Sequence, residues 1–338
     1  MDSTPLVSVI IPTHNCAAYI GDAVASVLSQ TYQTFEVIVV DDGSTDETSD
    51  VLTPYRDRIQ YVYQDNQGPA AARNAGIRQA RGNLIAFLDA DDTWSPRKLE
   101  LQVLALKAYP DAGLAFTDFH EFDESGVHKP SHLTGQRSSE AWFAKNRAAE
   151  TELAYGGMYQ EFLRANWIAT CSVIVRRDVL AAVGCFDEGI SYGEDYDLWL
   201  RIARRYRMLC NNRVLAGVRQ RPKSLSGPMG TRNVVYGHAF VNILSKHLRE
   251  KSIPPDLEHV AREEVSRHCW NIGRGRFDQN RLAEARSLFW QAVRHQPGHK
   301  LLWLYLCASC LPLLIIKAIR RIRGWRKALL GRPQTVAE

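Results

Sequence analysis

Apolar and polar positions come in alternating blocks along the first 120 residues. Val7–Ile11 (VSVII) is a run rich in β-branched residues closed by Pro12, the pattern of a strand buried on both faces. Asp22–Gln30 has helical spacing. Phe35–Val40 (FEVIVV) is a second strand, stopped by Asp41-Asp42-Gly43-Ser44. Thr45-Asp46-Glu47-Thr48 has the polar caps and early acids of a helix start. Ile59–Tyr63 is a third strand, Gly68–Ala80 an Ala-rich helix with Gly82 as its stop, and Leu84–Leu88 (LIAFL) a fourth strand ending in Asp89-Ala90-Asp91-Asp92. This alternation predicts an α/β fold, a mostly parallel sheet flanked by helices, with ligands expected at the carboxyl ends of its strands.

Beyond residue 120 the pattern changes. Residues 120–165 are polar and irregular, and are expected to form a mobile loop over the site. Thr170–Val175 reads as a strand and Asp178–Val183 as a short helix. Glu194-Asp195 opens a helix over Tyr196–Ala203. Residues 231–299 are expected to be wholly helical, and Arg274–Pro297 resembles one helix-turn-helix repeat unit. Leu301–Ile316 is a 16-residue apolar run, roughly 24 Å as a helix and shorter than a typical hydrocarbon core. The division expected is a catalytic domain over 1–230, a helical extension over 231–299 and an apolar helix with a basic tail over 300–338.

Composition excludes collagen-like, low-complexity and disordered chains: 45% of the 338 residues are hydrophobic and 23% charged. The net charge of +5 is uneven. Residues 300–338 hold eight basic residues and one acid, a surplus of seven, which leaves residues 1–299 at −2. Basic residues interleaved with Ile and Trp after an apolar run suit an anionic inner-membrane surface better than nucleic acid. Seven scattered cysteines argue for reduced thiols in the cytoplasm, and no secretory signal is read at the N-terminus. The Cys307-x-x-Cys310 pair lies in apolar sequence and is expected to be buried rather than redox-active or zinc-binding.

The candidate chemistry sits at the strand ends. Asp89-x-Asp91 offers two carboxylates after a strand, hard oxygen ligands suited to Mg²⁺ or Mn²⁺. Asp41 and Asp42 could accept hydrogen bonds from a nucleoside or simply cap a helix. Arg73, in a helix start of small residues, could reach phosphate or carboxylate. Asp195, beside Glu194, could be a helix N-cap or a general base. No G-x-G-x-x-G follows the first strand, which disfavours a nicotinamide site, and no phosphate-binding G-x-x-x-x-G-K-[ST] occurs.

Five motifs in order carry a resemblance: VSVIIPTHN (7–15), SVLSQTYQTFEVIVVDDGSTDET (26–48), NQGPAAARNAGI (66–77), GNLIAFLDADD (82–92) and GEDYDLWLR (193–201). Together they closely resemble the family 2 glycosyltransferases of GT-A fold, over roughly residues 6–226. The resemblance implies that the loop of Pro12, Thr13 and Asn15 meets the nucleotide, that Asp42, with Asp41 beside it, reads the base, and that Arg73 lies near base and diphosphate. It implies that Asp89 lies towards the ribose and Asp91 ligates the metal. It implies that Asp195, with Glu194, is the base of an inverting transfer from a nucleotide-diphosphate sugar, a UDP-sugar first, to a hydroxyl of a glycan or lipid-linked acceptor in cell-envelope polysaccharide synthesis. Family members often carry a His in a segment where this chain has Arg219-Gln220-Arg221. Arg221 is expected to pair with phosphate instead. Two other readings stay open: a nucleotide-sugar-binding protein without catalysis, and a processive polysaccharide synthase. The second would need several spanning helices and a Q/R-x-x-R-W motif, and neither is found.

Overall fold

The computed structural model describes residues 4–135, 137–147, 152–221 and 229–316. The chain divides into two compact units, Met1–Pro228 and Met229–Glu338.

The first unit begins with β1 (Val7–Thr13), α1 (Ile20–Leu28), β2 (Phe35–Asp42), the single turn α2 (Thr48–Val51), β3 (Gln60–Gln64), α3 (Pro69–Gln79) and β4 (Leu84–Phe87). These strands lie side by side in the order β3-β2-β1-β4, all parallel. Every residue of β1 and β4 is buried, as their apolar composition requires. Helix α3 lies close on β1. A Cβ built on Gly76 would sit 2.4 Å from Ile10 Cγ2, so only glycine fits at that crossing.

The unit continues with β5 (Thr93–Trp94), α4 (Lys98–Ala108), β6 (Ala112–Asp123), β7 (Gly126–Lys129), α5 (Arg137–Asn146), β8 (Leu153–Gly156), α6 (Tyr159–Phe162), β9 (Ile174–Arg176), α7 (Arg177–Val183), α8 (Glu194–Ala203) and β10 (Arg207–Arg219). Past β4 the sheet runs β9-β6-β10-β5, with β7 on β6 and β8 on β10. Only β6–β10 is parallel in this part. The pairings β4–β9, β6–β9, β5–β10, β6–β7 and β8–β10 are antiparallel. The sheet is therefore mixed, parallel from β3 to β4 and in the long β6–β10 pair and antiparallel elsewhere. The βαβ half has the regular period from which a parallel order is read.

Two expectations are corrected. Residues 120–165 are not one loop but hold the end of β6, then β7, α5, β8 and α6. Thr170–Val175 is a 3₁₀ turn over Thr170–Ser172 followed by β9, not one strand.

The second unit holds α9 (Met229–Arg249), α10 (Glu258–Asp278), α11 (Leu282–His295) and α12 (Lys300–Ala308). Phe277, Ala285, Phe289 and Ile316 form one small cluster of its core, with Trp270, Tyr305 and Leu306 against it. The 16-residue apolar run is not one helix. It breaks at Ser309–Pro312, because proline removes a donor and its ring clashes with the preceding turn. Among the described residues no helix is long and apolar enough to cross a membrane. Cys307 and Cys310 are exposed, contrary to the burial expected of them. Cys307 lies on α12, which turns only Leu302 fully inward, and Cys310 lies in the turn after it. The basic cluster from Lys317 onward lies outside the described residues.

Candidate active site

The carboxyl ends of β1, β2 and β4 open on one edge of the sheet, and the loops there are bound to one another. Asn15, held at φ 52°, accepts the backbone N–H of Thr45 (2.8 Å) and Asp46 (3.3 Å) on its Oδ1, while its own N–H donates to Ser44 Oγ (3.0 Å). Its amide is thus spent on joining the β1 loop to the β2 loop. Thr13 faces Asp41 in the β1–β2 register, and its buried Oγ1 has no hydrogen-bond partner. Pro12 pairs with Val40 just before it.

The two acids of β2 point apart, as neighbouring strand residues must. Asp41 accepts Ser44 N–H (2.8 Å) and Tyr61 Oη–H (2.7 Å) and is turned inward. Asp42 Oδ1 accepts Gln67 N–H (2.9 Å) and the Gln64 side chain (2.7 Å), and its Oδ2 accepts Gly68 N–H (2.8 Å). Asp42 therefore shapes the loop that enters α3.

Arg73 is the centre of the cluster. Three alanines before it leave room for its side chain to bury, and its guanidinium gives Nη2 to Asp89 Oδ1 (2.7 Å) and Nη1 to Glu194 Oε1 (2.6 Å). Burial works against its charge, and the two carboxylates outweigh that effect. Arg73 thus joins the end of β4 to the start of α8, a role that a basic residue beside a diphosphate does not by itself suggest.

Asp91 Oδ2 lies 2.6 Å from Arg221 Nε. Burial raises the Asp91 carboxyl above its ordinary range in spite of Arg221, and the charge of Asp89 adds to the rise. Asp92 is buried deeper and raised further, by burial and then by Asp91 and Asp89. It accepts Arg219 N–H (2.9 Å), while Arg219 Nε donates to Asp91 O (3.0 Å). β10 is thereby fastened to the acidic loop.

Gly193, at φ +83°, turns the chain into α8 and places Glu194 and Asp195 in its first turn. The helix is fixed from below by Arg201, which pairs with the buried Asp197 (2.8 Å) and donates to the carbonyls of Val183, Gly184 and Cys185. Asp195 is partly exposed, and its Oδ2 accepts Thr170 Oγ1–H at 3.1 Å. Burial, then the charge of Glu194, push its carboxyl up to about 7 against the opposing pull of Arg73. A carboxyl near neutrality can take a proton at working pH.

Two side chains in this constellation escape sequence reasoning. Thr170 sits in a 3₁₀ turn with no motif around it, and Arg219 is hidden in an ordinary strand. A signal for Arg219 existed in its spacing from Arg221, which puts both near one loop. Thr170 had none.

The oxygens at the end of β4 fit a hard divalent cation. One oxygen of Asp89 and one of Asp91 stay outside the ion pairs, and both side chains keep some exposure, 33% and 14%. Among the described residues no group of three His, Cys, Asp or Glu could hold a metal, so two protein oxygens would be completed by water or ligand oxygens.

Residues 8–168 match the glycosyl transferase family 2 model. An uncharacterized glycosyltransferase of Rickettsia typhi is 32% identical over 214 residues, 63% of this chain and 63% of the relative. This chain thus spans less than two thirds of that relative's length. S. aureus TarS 1–349 in complex with UDP shares the fold at TM-score 0.61 and 18% identity, over 98% of this chain and 94% of that one. A mannosyltransferase from Pyrobaculum calidifontis in complex with GDP-Man and Mn²⁺ shares it at TM-score 0.57 and 19% identity, over 96% and 84%.

Proposed function

We propose that the chain is an inverting glycosyltransferase that moves a sugar from a nucleotide-diphosphate donor, a UDP-sugar first, to a hydroxyl of a glycan or lipid-linked acceptor. The observation that carries this reading is the single cluster Asp89–Arg73–Glu194, which sets the raised carboxyl of Asp195 beside the acids of the β4 end. Inversion needs a base opposite the leaving group. Asp195 takes the acceptor proton on its carboxylate as the acceptor oxygen attacks the anomeric carbon and the bond from that carbon to the diphosphate oxygen breaks, releasing the nucleoside diphosphate, and Thr170 holds that carboxylate in place. Pro12 and Thr13, at the end of β1, would meet the nucleotide through their backbone. Asp89 and Asp91 would hold Mg²⁺ or Mn²⁺, which when bound neutralises charge on the diphosphate. The Mn²⁺ and GDP-Man of the mannosyltransferase and the UDP of TarS support a metal and a nucleoside diphosphate for this chain. Arg221, at the same acids, is placed to meet the diphosphate.

The acceptor class follows from the second unit. Leu301, Trp303, Leu304, Leu314 and Ile315 are exposed on and after α12, Leu314 at 81%. Such a face suits the inner surface of a cell membrane, where cell-envelope polysaccharides are assembled on lipid.

Asp195→Asn tests the reading. Turnover of a UDP-sugar is expected to fall by about 10²–10⁴-fold, the range for loss of a general base, with UDP affinity within a factor of about two. Wild-type turnover in the variant would remove Asp195 from this role.

A further inference from the structure

Three buried polar side chains outside the chemistry above, Trp94, Lys98 and Gln102, meet at one short turn. Lys98 opens α4 and Gln102 stands one helical turn further along, so the two share a face. Lys98 Nζ donates to Gln102 Oε1 at 2.8 Å and lies 4.0 Å from the centroid of the Trp94 ring. Gln102 Nε2 donates to Ala115 O of β6 at 3.0 Å and to Ser172 O at 2.9 Å. Trp94 Nε1–H donates to Cys171 O at 2.7 Å.

Two observations give this cluster a purpose. First, a fully buried lysine is costly to keep, and burial pulls Lys98 down to about 7. As ammonium or as amine it keeps an N–H for Gln102, and that bond decides which way the amide faces. With Oε1 turned to Lys98, Nε2 is left for the two carbonyls. Turned round, Oε1 would meet both carbonyls with no hydrogen between them. Second, the turn held in this way is the 3₁₀ turn Thr170–Ser172. The Cys171 thiol hydrogen-bonds Asp92 of the acidic loop, and Thr170 Oγ1–H donates to Asp195 Oδ2 at 3.1 Å. A three-residue turn with two of its carbonyls bound has little freedom, so the direction of the Thr170 hydroxyl is set from Gln102 and Trp94.

We propose that Lys98 and Gln102 are positioning residues for the transfer: through Ser172 they hold the turn that aims Thr170 at Asp195, and so fix the direction of the base relative to the acids of the β4 end. The assignment rests on the transferase reading above. Trp94 is a second anchor of the same turn, and Thr170 is the relay through which the cluster acts.

A double-mutant cycle on the full chain tests this route. Nucleoside diphosphate release is measured from UDP-glucose, UDP-N-acetylglucosamine, GDP-mannose and dTDP-glucose, with water or the methyl glycosides of glucose, galactose and N-acetylglucosamine as acceptor. Thr170→Val, which keeps the shape and deletes the hydroxyl, is expected to lower kcat about tenfold and to leave the donor KM within about twofold. Gln102→Glu, which keeps an acceptor for Lys98 and deletes both amide N–H donors, is expected to lower kcat by about five- to tenfold at the same donor KM. Added to Thr170→Val, it is expected to lower kcat by less than about twofold, because the relay is already cut. Lys98→Met, which puts an apolar side chain of similar length in place of a buried cation, carries the same cycle should Gln102→Glu fail to fold. Its expected loss is about threefold in kcat, again vanishing beside Thr170→Val. Equal losses with and without the Thr170 hydroxyl overturn the positioning role alone, since a merely structural role adds, as does wild-type kcat in the folded single variants. No release from any donor by the wild type overturns the transferase reading on which the role rests.

Discussion

The two halves of the first unit's sheet are built on different rules. From β1 to β4 the chain is a succession of strand, helix and parallel strand, and each acid follows directly on an apolar run. From β5 to β10 the pairing is mostly antiparallel, strands adjacent in space are far apart in sequence, and β6 meets β10 across about 90 residues. The first half supplies the acids of the β4 end and Arg73, and the second supplies the raised carboxyl of Asp195 together with Arg219 and Arg221, which meet the β4-end loop. The difference teaches where the site's chemistry is local and where it depends on the whole fold.

Arg73 joins the halves, so its removal is the largest break to make. Arg73→Leu leaves Asp89 and Glu194 without their shared cation, Glu194 with a side chain only 10% exposed. Loss of one partner from a buried ion cluster costs about 3–5 kcal/mol. Urea denaturation of the variant is expected to show a loss of that size, and Arg73→Lys a smaller one, since an ammonium cannot hold both carboxylates in the same fork. A shift under about 1 kcal/mol in Arg73→Leu would mean that the halves are held by their hydrophobic contacts alone.

Gly76→Ala disturbs the first half by itself. The new Cβ meets Ile10 Cγ2 at 2.4 Å, inside the β1–α3 contact. Overpacking of this kind costs about 1–3 kcal/mol. The loss is expected to appear in urea denaturation while UDP affinity of the folded protein drops only a few-fold.

The halves also differed in how far the sequence revealed them. Val7–Ile11, Phe35–Val40 and Leu84–Leu88 are short runs of strong apolar character, and the structure places strands on all three. The acids after them could be found without coordinates because a strand end is a position in sequence. β6 and β10 were not legible. Their polar residues, such as Thr117 and Asn211, are buried by partners distant in sequence, which spoils any simple alternation. The roles of residues were harder to read than their positions. Nothing in PAAARN tells that Arg73 reaches Glu194, 121 residues away. Nothing in DDGS tells that Asp42 spends its oxygens on Gln67 and Gly68.

Protonation of Asp195 separates the second half from the first in solution. Its carboxyl titrates at about 7 in the folded chain and near 3.8 when unfolded. The folded state therefore binds this proton more tightly, and the group's stabilising contribution, fully present below pH 3.8, is lost as pH rises towards 7. Transfer runs the other way, because only the carboxylate accepts a proton. The log of kcat/KM is expected to fall by about one unit per pH unit below pH 7. Asp195→Asn should abolish the stability change over this window while leaving that of other groups. A wild-type rate flat from pH 5 to 8 would place the base elsewhere.

The smallest effect concerns the meeting of the halves at Asp91. Arg221 follows β10 and holds Asp91 at 2.6 Å, with side chains 22% and 14% exposed. An ion pair of partial exposure is worth about 1 kcal/mol or less, so it can compete with a divalent cation for the carboxylate by no more than about fivefold. Arg221→Ala is expected to lower the Mn²⁺ concentration for half-maximal turnover by up to that factor and to raise the KM for the UDP-sugar, because the diphosphate loses a cation. The two changes distinguish the roles of the guanidinium. A lower Mn²⁺ requirement with unchanged KM would make Arg221 a competitor for Asp91 alone. A higher KM with unchanged Mn²⁺ requirement would make it a diphosphate ligand that touches Asp91 only when the donor is absent.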